Sequence, residues 1–378
     1  MEHSNSAFDS VLSESVLSTS ASNTTLDPYP NKPRLTFSSS GTFKLTIFSD
    51  LHFGENPSTE WGPTQDVNSL KLMRTVLVDE APDYIVTNGD LITGENTYRE
   101  NSTELVDMIM RPLNEVGVPF SSSFGNHDNQ KNISHREEIL REQSISPLSY
   151  TRLAPEHIGG QGGEGNYWVP IYENAKDLRP ALIIWFFDSR GGWSLGDTSA
   201  PLPDWVDASV AGWIQRETYI MDAAWGAAES TGRAALVFVH IPPHAIEKVS
   251  KSLNETANPG LNADALGQGS TQASDNPKSI GRDQPFWDAL NTHVKNLRAI
   301  ISGHNHGNEW CAREPTKDVI FCFNKHSGYG GYDRTGWGHG VRNMVFSPTA
   351  LNKFPETWIR LEGGHTRARV TLDDAYGR

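Results

Sequence analysis

Five short apolar runs recur along the chain, and each is followed by Asp, Asn or His. The runs span residues 45–48, 84–87, 118–120, 235–239 and 299–301. Each is rich in β-branched or aromatic residues, which is typical of a buried strand. Because helical or loop segments of 20 residues or more separate the runs, the pattern favours an α/β arrangement over a simple meander.

The polar residues that follow the runs are all of types that bind metal ions. They are Asp50 and His52, then Asp90, then Asn126, His127 and Asp128, then His240, and finally His304 and His306. Because the carboxyl ends of neighbouring parallel strands lie along one edge of a sheet, we expect these side chains to meet there. Gly89, Gly125 and Gly303 fit this expectation, since a residue without Cβ allows a sharp turn after a strand.

Carboxylate, amide and imidazole ligands together suit Mn, Fe or Zn better than Ca, and Mg is a further candidate. Seven such ligands are too many for one tetrahedral ion. The economical interpretation is two metal ions roughly 3.5–4 Å apart that share one bridging carboxylate and clamp a phosphoryl group. The sequence therefore predicts a dinuclear metal site at the carboxyl ends of the strands.

The ordered blocks resemble those of the calcineurin-like metallophosphoesterase superfamily. The blocks are Asp50-x-His52, Gly89-Asp90, Gly125-Asn126-His127-Asp128, His240 and Gly303-His304-x-His306. The resemblance implies an α/β fold in which a two-sheet β-sandwich is flanked by helices, in four αββα layers. It also implies hydrolysis of phosphate esters by a hydroxide that bridges two metal ions.

The same resemblance implies a role for each of these residues. One metal ion would be held by Asp50, His52 and His306, and the other by Asn126, His240 and His304, with Asp90 bridging the two. His127 would contact the phosphoryl oxygens or protonate the leaving group, and Asp128 would orient its ring.

Further segments resemble the purple-acid-phosphatase-like branch that includes Dcr2-type fungal and plant phosphatases. They are Gly165-Asn166-Tyr167, Phe187-Asp188-Ser189, His240-Ile241-Pro242 and Gly328-Tyr329-Gly330-Gly331-Tyr332. The chain departs from true purple acid phosphatases at His52, where they have Gly, and at Thr93, where they have Tyr. Without that phenolate there is no ferric charge-transfer band, so we predict a colourless protein.

The activity that the resemblance implies is hydrolysis of small phosphomonoesters. A phosphodiesterase of the same fold is the nearest alternative, and a noncatalytic metal-bound binding protein is a second one. A monoester carries one more negative charge, for which Arg190, Arg334 and Arg342 are available. Candidate substrate contacts are His244, Tyr329 and Tyr332.

The charge and composition limit the partners of the chain. The 32 Lys and Arg residues stand against 46 Asp and Glu residues, a net charge of −14, which argues against nucleic-acid binding through bulk charge. Bound divalent ions would reverse the local sign for a phosphate ester. No apolar run reaches the roughly 18 residues of a membrane span. Nothing in the sequence indicates an oligomeric state.

The amino-terminal part of the chain differs in composition from the rest. Residues 1–40 contain 11 Ser and 4 Thr and end in a Pro-rich stretch, which is typical of a flexible leader. They have no basic region followed by an apolar run, so they do not form an intact secretory signal. We expect residues 41–378 to form one metallophosphoesterase domain.

The chain has two cysteines, Cys311 and Cys322, which flank an apparent hairpin. A disulfide between them is favoured over two free thiols. A disulfide implies an oxidising compartment, hence a secreted protein or one of the secretory or vacuolar pathway, whereas free thiols would favour the cytoplasm. Glycosylation sequons at Asn23, Asn101, Asn132 and Asn254 agree with the secretory route, but chance accounts for them equally well.

Overall fold

Two β-sheets form the centre of the protein in a computed structural model that describes residues 26–347 and 355–378. The strands are β1 (Leu35–Thr36), β2 (Phe43–Phe48), β3 (Tyr84–Asn88), β4 (Phe120–Ser123), β5 (Tyr167–Tyr172), β6 (Leu182–Phe187), β7 (Ala234–Val239), β8 (Leu297–Ser302), β9 (Cys311–Glu314), β10 (Val319–Phe323), β11 (Gly340–Phe346), β12 (Glu356–Leu361) and β13 (Thr366–Thr371). The α-helices are α1 (Trp61–Glu80), α2 (Glu104–Val116), α3 (His135–Ile145), α4 (Ser209–Trp225), α5 (Ala228–Thr231), α6 (Ile246–Ser250) and α7 (Gln284–His293), and a short 3₁₀ helix spans Gly94–Asn96.

The strand order places the carboxyl ends of parallel strands from both sheets on the same side. The seven-stranded sheet has the order β1-β5-β6-β7-β8-β10-β9, and the six-stranded sheet has the order β13-β12-β11-β2-β3-β4. Strands β2, β3 and β4 are mutually parallel, and so are β6, β7 and β8. All five predicted runs contribute to strands of these two parallel sets.

Three apolar cores define the layers. The inner core lies between the sheets, where Ile47 and Val86 of one sheet pack in the same cluster as Leu236 and Ile301 of the other. An outer core joins the six-stranded sheet to α1, α2 and α3. Another outer core joins the seven-stranded sheet to α4, α6 and α7. The predicted α/β fold, with two sheets flanked by helices in four layers, is confirmed.

Strand β4 differs from the apolar run that was predicted at residues 118–120. The strand begins at Phe120 and continues through three serines to Ser123, all of them buried. Their hydroxyl groups are satisfied within the protein: Ser122 Oγ accepts from Thr87 Oγ1 at 2.7 Å and donates to Glu142 Oε2 at 2.7 Å. A polar sequence occupies a buried strand here because neighbouring elements supply its hydrogen bonds.

Packed structure begins before the predicted boundary at residue 41. Leu35 and Thr36 pair with β5, and the hydroxyl of the buried Tyr29 donates to Tyr150 O at 2.7 Å and to Trp168 O at 3.2 Å. The boundary was placed too late because the Ser- and Thr-rich composition hides these few buried side chains. Residues 1–25 of the predicted leader lie outside the described residues.

The hairpin of β9 and β10 carries the two cysteines directly opposite each other. A disulfide joins Cys311 to Cys322, as predicted. Across the described ranges, no helix is both long enough and apolar enough to traverse a bilayer.

Candidate metal centre

The predicted ligands follow strands of both sheets. Asp50, His52, Asp90 and Asn126 come after β2, β3 and β4 of one sheet, and His240, His304 and His306 come after β7 and β8 of the other. Asp50, His52, Asp90 and His304 have φ between 48° and 71°, a left-handed conformation that is uncommon outside glycine. Backbone strain of this kind concentrates at functional sites, where the surrounding structure holds it in place.

The first ligand cluster consists of Asp50, His52 and His306, whose ligand atoms lie within 4.8 Å of one another. All three side chains are buried. His306 Nε2 is 3.6 Å from Asp50 Oδ1 and 3.2 Å from His52 Nε2. The cluster therefore gathers one carboxylate and two imidazoles around a single point.

The second ligand cluster consists of Asp90, His240 and His304, again with ligand atoms within 4.8 Å of one another. His240 Nε2 is 3.0 Å from Asp90 Oδ2. The same carboxylate oxygen is 3.8 Å from His52 Nε2 of the first cluster. Asp90 therefore faces both clusters.

Each of the four imidazoles in the clusters is oriented by a hydrogen bond on its outer side. The pairs are His52 Nδ1 with Thr93 Oγ1 (3.3 Å), His240 Nδ1 with Asn88 O (2.8 Å), His304 Nε2 with Gly269 O (2.7 Å) and His306 Nδ1 with Tyr332 O (2.6 Å). A carbonyl only accepts, so the paired nitrogen carries a proton, and in a neutral ring the other nitrogen offers a lone pair. The Thr93 hydroxyl donates to Glu55 Oε2 at 2.7 Å, and it therefore accepts from His52.

A metal ion is the partner that these lone pairs fit. His52 Nε2 and His306 Nε2 face each other at 3.2 Å, although both are acceptors in these tautomers. Two ligands about 2.0–2.1 Å from a tetrahedral ion stand about 3.3 Å apart, which matches this spacing. Asn126 supports the same conclusion, because its Oδ1 is buried and has no hydrogen-bond partner among the described residues.

Burial keeps part of this set neutral. It lowers the pKa of His52 to about 3 and the pKa of His304 to about 4, because the charged imidazolium loses its hydration. Burial acts in the same direction on His240, but the adjacent Asp90 carboxylate outweighs it and raises the pKa of His240 to about 9. The charged groups of the centre are thus the Asp90 carboxylate and the adjacent His240 ring.

His127 lies beside the two clusters without belonging to either. Its backbone N–H donates to Asp90 Oδ1 at 2.8 Å, and its ring Nδ1 is 2.7 Å from Glu95 Oε1. Burial opposes the charge on this ring, but the Asp90 and Glu95 carboxylates raise the pKa of His127 to about 10. The two carboxylates thus favour the protonated form of the ring, which is able to donate.

The prediction that Asp128 orients the His127 ring is wrong. Asp128 Oδ1 accepts the backbone N–H groups of Leu91 and Ile92 at 2.8 and 3.1 Å, and Oδ2 accepts that of Gly125 at 2.7 Å. A carboxylate whose lone pairs are aimed at three amides braces the loops and is not available to the ring. Glu95, in the 3₁₀ helix that follows β3, contacts the His127 ring in the way that was expected of Asp128. The only signal for Glu95 in the sequence is an acidic residue five positions after Asp90.

His135 is a second residue that the motifs do not reveal. It is fully buried at the start of α3, and its two ring nitrogens contact Asp188 Oδ2 and Gly125 O, each at 2.8 Å. Because Gly125 precedes Asn126, this histidine fixes the loop that carries a predicted ligand. Its partner Asp188 lies 53 residues away in the sequence, so no local pattern identifies the pair.

His244 does not reach the metal centre, contrary to the prediction that it contacts substrate. Its Nδ1 is 2.5 Å from Asp283 Oδ1, and its backbone N–H donates to Asp283 Oδ2 at 2.9 Å. It lines a separate cavity of about 310 Å³ together with Lys251 and Leu266. The carboxylate of Asp283, the N-cap residue of α7, thus holds His244 away from the metal centre.

The two tyrosines predicted to contact substrate pack against histidines instead. The ring of Tyr329 stacks on His339 with centroids 3.8 Å apart. Tyr332 stacks on His306 at 4.0 Å, and its hydroxyl accepts the His306 backbone N–H at 2.9 Å. Neither tyrosine lines the cleft over the metal centre. Tyr332 instead contacts His306, a predicted metal ligand.

A third group of metal-ligand types lies behind His306. It consists of His326, Asp333 and His339, with ligand atoms within 4.8 Å of one another. The ammonium group of Lys325 is 2.9 Å from His326 Nδ1. This positive charge disfavours a further cation, and the group supports His306, whose ring stacks on that of His326.

A cleft of about 720 Å³ opens over the centre and is lined by Asn126, His127 and His304. None of the three arginines considered for substrate binding lines it. Arg190 Nε donates to Trp205 O at 2.8 Å, Arg334 to Ala263 O at 3.1 Å and Arg342 Nε to Phe323 O at 2.8 Å. All three are thus engaged elsewhere.

The fold and the two ligand clusters together define a protein with a dinuclear metal centre of the phosphoesterase type. Residues 43–308 match the calcineurin-like phosphoesterase family, and the chain belongs to that family.

Individual relatives agree with this assignment. The chain is 24% identical to "Probable inactive purple acid phosphatase 14" of Arabidopsis thaliana over 82% of its own length and 76% of the relative's. It is 27% identical to "Phosphatase DCR2" of Saccharomyces cerevisiae over 87% of its own length and 55% of the relative's. The solved structure of a dimetal phosphatase from Danio rerio shares the fold, with a TM-score of 0.52, 14% identity and coverage of 88% of this chain and 99% of that one.

Proposed function

We propose that this protein is a metal-dependent hydrolase of phosphomonoesters. The observation that carries the proposal is the arrangement of Asp90 between two ligand clusters whose imidazole nitrogens converge, with the His127 ring, held by Glu95, beside them. A site of this form positions a phosphoryl group between two cations and next to a proton donor. Membership of the phosphoesterase family supports the same reaction class.

The chain's own residues would hold the two ions in a defined way. Asp50, His52 and His306 would bind one, and Asn126, His240 and His304 the other, with Asp90 shared. The ions, Mn, Fe or Zn with Mg as a further candidate, would lower the pKa of an attacking water and offset charge on the phosphoryl oxygens. The hydrogen bonds on the outer side of each imidazole keep its lone pair directed at the ions.

His127 would supply the proton that the leaving group needs. Its Nδ1 is bonded to Glu95, which leaves Nε2 as the nitrogen that contacts substrate. Glu95 fixes the ring and favours its protonated form, so the proton is present before the ester bond breaks. An alkoxide leaving group is a poor one until it is protonated, which makes this donor important for unactivated esters.

A phosphodiester is the second candidate substrate, and one observation favours it. Among the described residues that line the cleft there is no Lys or Arg. A diester carries one negative charge fewer than a monoester and needs fewer donors. The noncatalytic alternative rests on relatives alone, since the name of the Arabidopsis relative includes the word inactive.

A substrate comparison tests the proposal. Mn-loaded protein is assayed with 4-nitrophenyl phosphate and with bis(4-nitrophenyl) phosphate, each with and without EDTA. We expect the monoester to turn over faster and EDTA to abolish both activities. Preference for the diester would replace the proposal by its second candidate, and hydrolysis of neither, at full metal occupancy, would leave the noncatalytic alternative.

We also propose that the protein follows the secretory route, because the Cys311–Cys322 disulfide needs an oxidising compartment to persist. Of the three sequon residues that the structure describes, Asn254 has an exposed side chain and is the best acceptor for a glycan. The test is the mass of the protein isolated from its native source, under non-reducing conditions and before and after glycosidase treatment. Two free thiols in that material would contradict the assignment.

A further inference from the structure

The cleft over the metal centre is much larger than a phosphoryl group. Its volume of about 720 Å³ falls in the range of about 300–1,000 Å³ that is typical of sites for whole organic ligands. His127 lines the cleft together with Asn126 and His304. Because His127 is the donor to the leaving group, the remaining space is where the alcohol part of the ester lies.

One wall of this cleft is mostly apolar and is formed by parts of the loop of residues 191–205, which follows β6. Trp193, Leu202, Pro203 and Trp205 of this loop face the cleft. Trp193 is 47% exposed, so the rest of the described chain leaves a large part of its side chain uncovered. An exposed indole in the wall of a concave site is a surface suited to a flat apolar ligand.

The 191–205 loop is fixed to the segment that carries the catalytic groups. Trp193 N donates to Asn129 O at 2.9 Å, and Leu202 N donates to Gly192 O at 2.9 Å. Gly192 has φ +73°, and a Cβ there would lie 2.1 Å from Asn129 O, so only glycine permits this approach. The apolar wall is therefore in place before a ligand binds, which reduces the ordering cost of binding.

The charged side chains of the cleft away from the ligand clusters are all acidic. They are Glu95, Asp204 and Asp275, and no Lys or Arg within residues 26–347 and 355–378 lines the cleft. Glu95 is bonded to His127, whereas Asp204 belongs to the 191–205 loop itself and Asp275 lies in another part of the cleft wall. A leaving group with its own negative charge would meet repulsion here, while a neutral or cationic one would not.

We infer that this cleft is a subsite for a flat, apolar leaving group that carries no negative charge, with Trp193 as the stacking residue. The inference rests on the proposed function and specifies its substrate class as phosphate esters of aromatic alcohols. Esters of polyphosphorylated or carboxylated alcohols are excluded by the acidic wall. Trp193 is a specificity residue, because it contacts the part of the substrate that does not react.

Binding of non-hydrolysable phosphonates tests the subsite independently of turnover. The Kd of naphthylphosphonate and of methylphosphonate is measured by calorimetry on Mn-loaded wild type, Trp193→Ala and Trp61→Ala. Trp61 is 45% exposed and does not line the cleft, which makes it a matched control. We expect the naphthyl compound to bind wild type about tenfold more tightly than the methyl compound, and Trp193→Ala alone to remove this preference.

A second pair of ligands tests the acidic wall. Phenylphosphonate should bind wild type about tenfold more tightly than 4-carboxyphenylphosphonate, and Asp275→Asn should reduce that ratio. Equal affinity for the naphthyl and methyl compounds, or a preference that survives Trp193→Ala, would overturn the subsite. A preference of the predicted kind without hydrolysis of any aryl phosphate would retain the subsite and disprove the proposed function instead.

Discussion

Glu95 contacts the His127 ring, whereas Asp128 accepts hydrogen bonds from backbone amides. A matched pair of amide substitutions distinguishes these two roles. Glu95→Gln removes one of the two carboxylate charges that favour the protonated His127 ring, so we expect kcat for an unactivated ester to fall about tenfold or more, since acid catalysis contributes about 10²–10⁴-fold. Thermal stability and metal content should stay unchanged. Asp128→Asn turns an NH₂ group toward a backbone N–H, which costs about 1–3 kcal/mol of stability.

Kinetics, thermal unfolding and metal analysis of both variants check this assignment. Asp128→Asn should lower Tm while the folded fraction keeps most of its kcat. If Asp128→Asn lowered kcat as strongly as Glu95→Gln without a change in Tm, Asp128 would be the residue that acts on His127 after all.

His135 gives the protein a defined dependence of stability on pH. Burial opposes its charge, but the Asp188 carboxylate, and to a lesser degree the Asp128 carboxylate and the Gly125 carbonyl, raise its pKa from 6.5 to about 9. The folded state therefore binds this proton more tightly than the unfolded state does. The stabilisation is complete below pH 6.5 and is lost as pH rises through about 9.

The measurement is the free energy of unfolding of wild type and His135→Gln at pH 6 and at pH 9.5. The difference between the two proteins should shrink by about 3 kcal/mol, at about 1.36 kcal/mol per pKa unit. His157→Gln is the control, because the side chain of His157 is 88% exposed and should give a small difference at both pH values. A wild-type advantage over His135→Gln that did not change with pH would show that the ring is not charged at pH 6.

At the scale of elements, the strands and their carboxyl ends were predictable because each carries its own local signal. Runs such as 235–239 are apolar throughout, and a ligand type follows directly. The apolar pattern places strand β4 too early because its three serines are satisfied by residues distant in sequence, namely Tyr84, Thr87, Asn88 and Glu142. The pairs His127–Glu95 and His135–Asp188 were missed for the same reason, since a contact across 32 or 53 residues leaves no periodic pattern.

The β9–β10 hairpin supports a prediction about the disulfide. The two cysteines are 11 residues apart, and a cross-link over a loop of this size stabilises a protein by about 2–3 kcal/mol in the chain-entropy account. The double variant Cys311→Ala/Cys322→Ala should therefore have a lower Tm. Neither cysteine belongs to a ligand cluster, so metal content and kcat should be retained.

The reductant dithiothreitol provides the control for this prediction. It should lower the Tm of wild type toward that of the double variant and leave the double variant unchanged. An unchanged wild-type Tm under reduction would mean that the bond contributes no stability or is not formed.

At the scale of the whole molecule, the net charge of −14 and an anionic substrate are compatible because the charges are separated in space. The two ligand clusters lie at the one edge where both sheets end, and their cations would dominate the local field. The acidic side chains that remain in the cleft lie along the part that receives the leaving group. The acidic side chains of the cleft thus disfavour a second anionic group on the substrate. They leave the binding of its phosphoryl group at the ions unaffected.

The metal centre also joins the two sheets, and this leads to a prediction for metal removal. One sheet supplies Asp50, His52 and Asp90, and the other supplies His240, His304 and His306. Each cluster contains residues from both sheets, so an ion in either position bonds one sheet to the other. Without ions, Asp50 and Asp90 remain buried close together, and the lone pairs of His52 and His306 face each other at 3.2 Å.

Chelation should therefore destabilise the fold as well as stop turnover. A ligand present at 1,000 times its Kd stabilises the native state by about 4 kcal/mol, so we expect EDTA to lower Tm by several degrees and Mn to restore it. Calorimetry on apo and Mn-loaded protein measures this shift. His306→Ala removes one inter-sheet ligand and should reduce the shift, whereas Trp61→Ala should leave it intact. An identical Tm with and without EDTA, at proven metal removal, would show that the ions do not join the sheets.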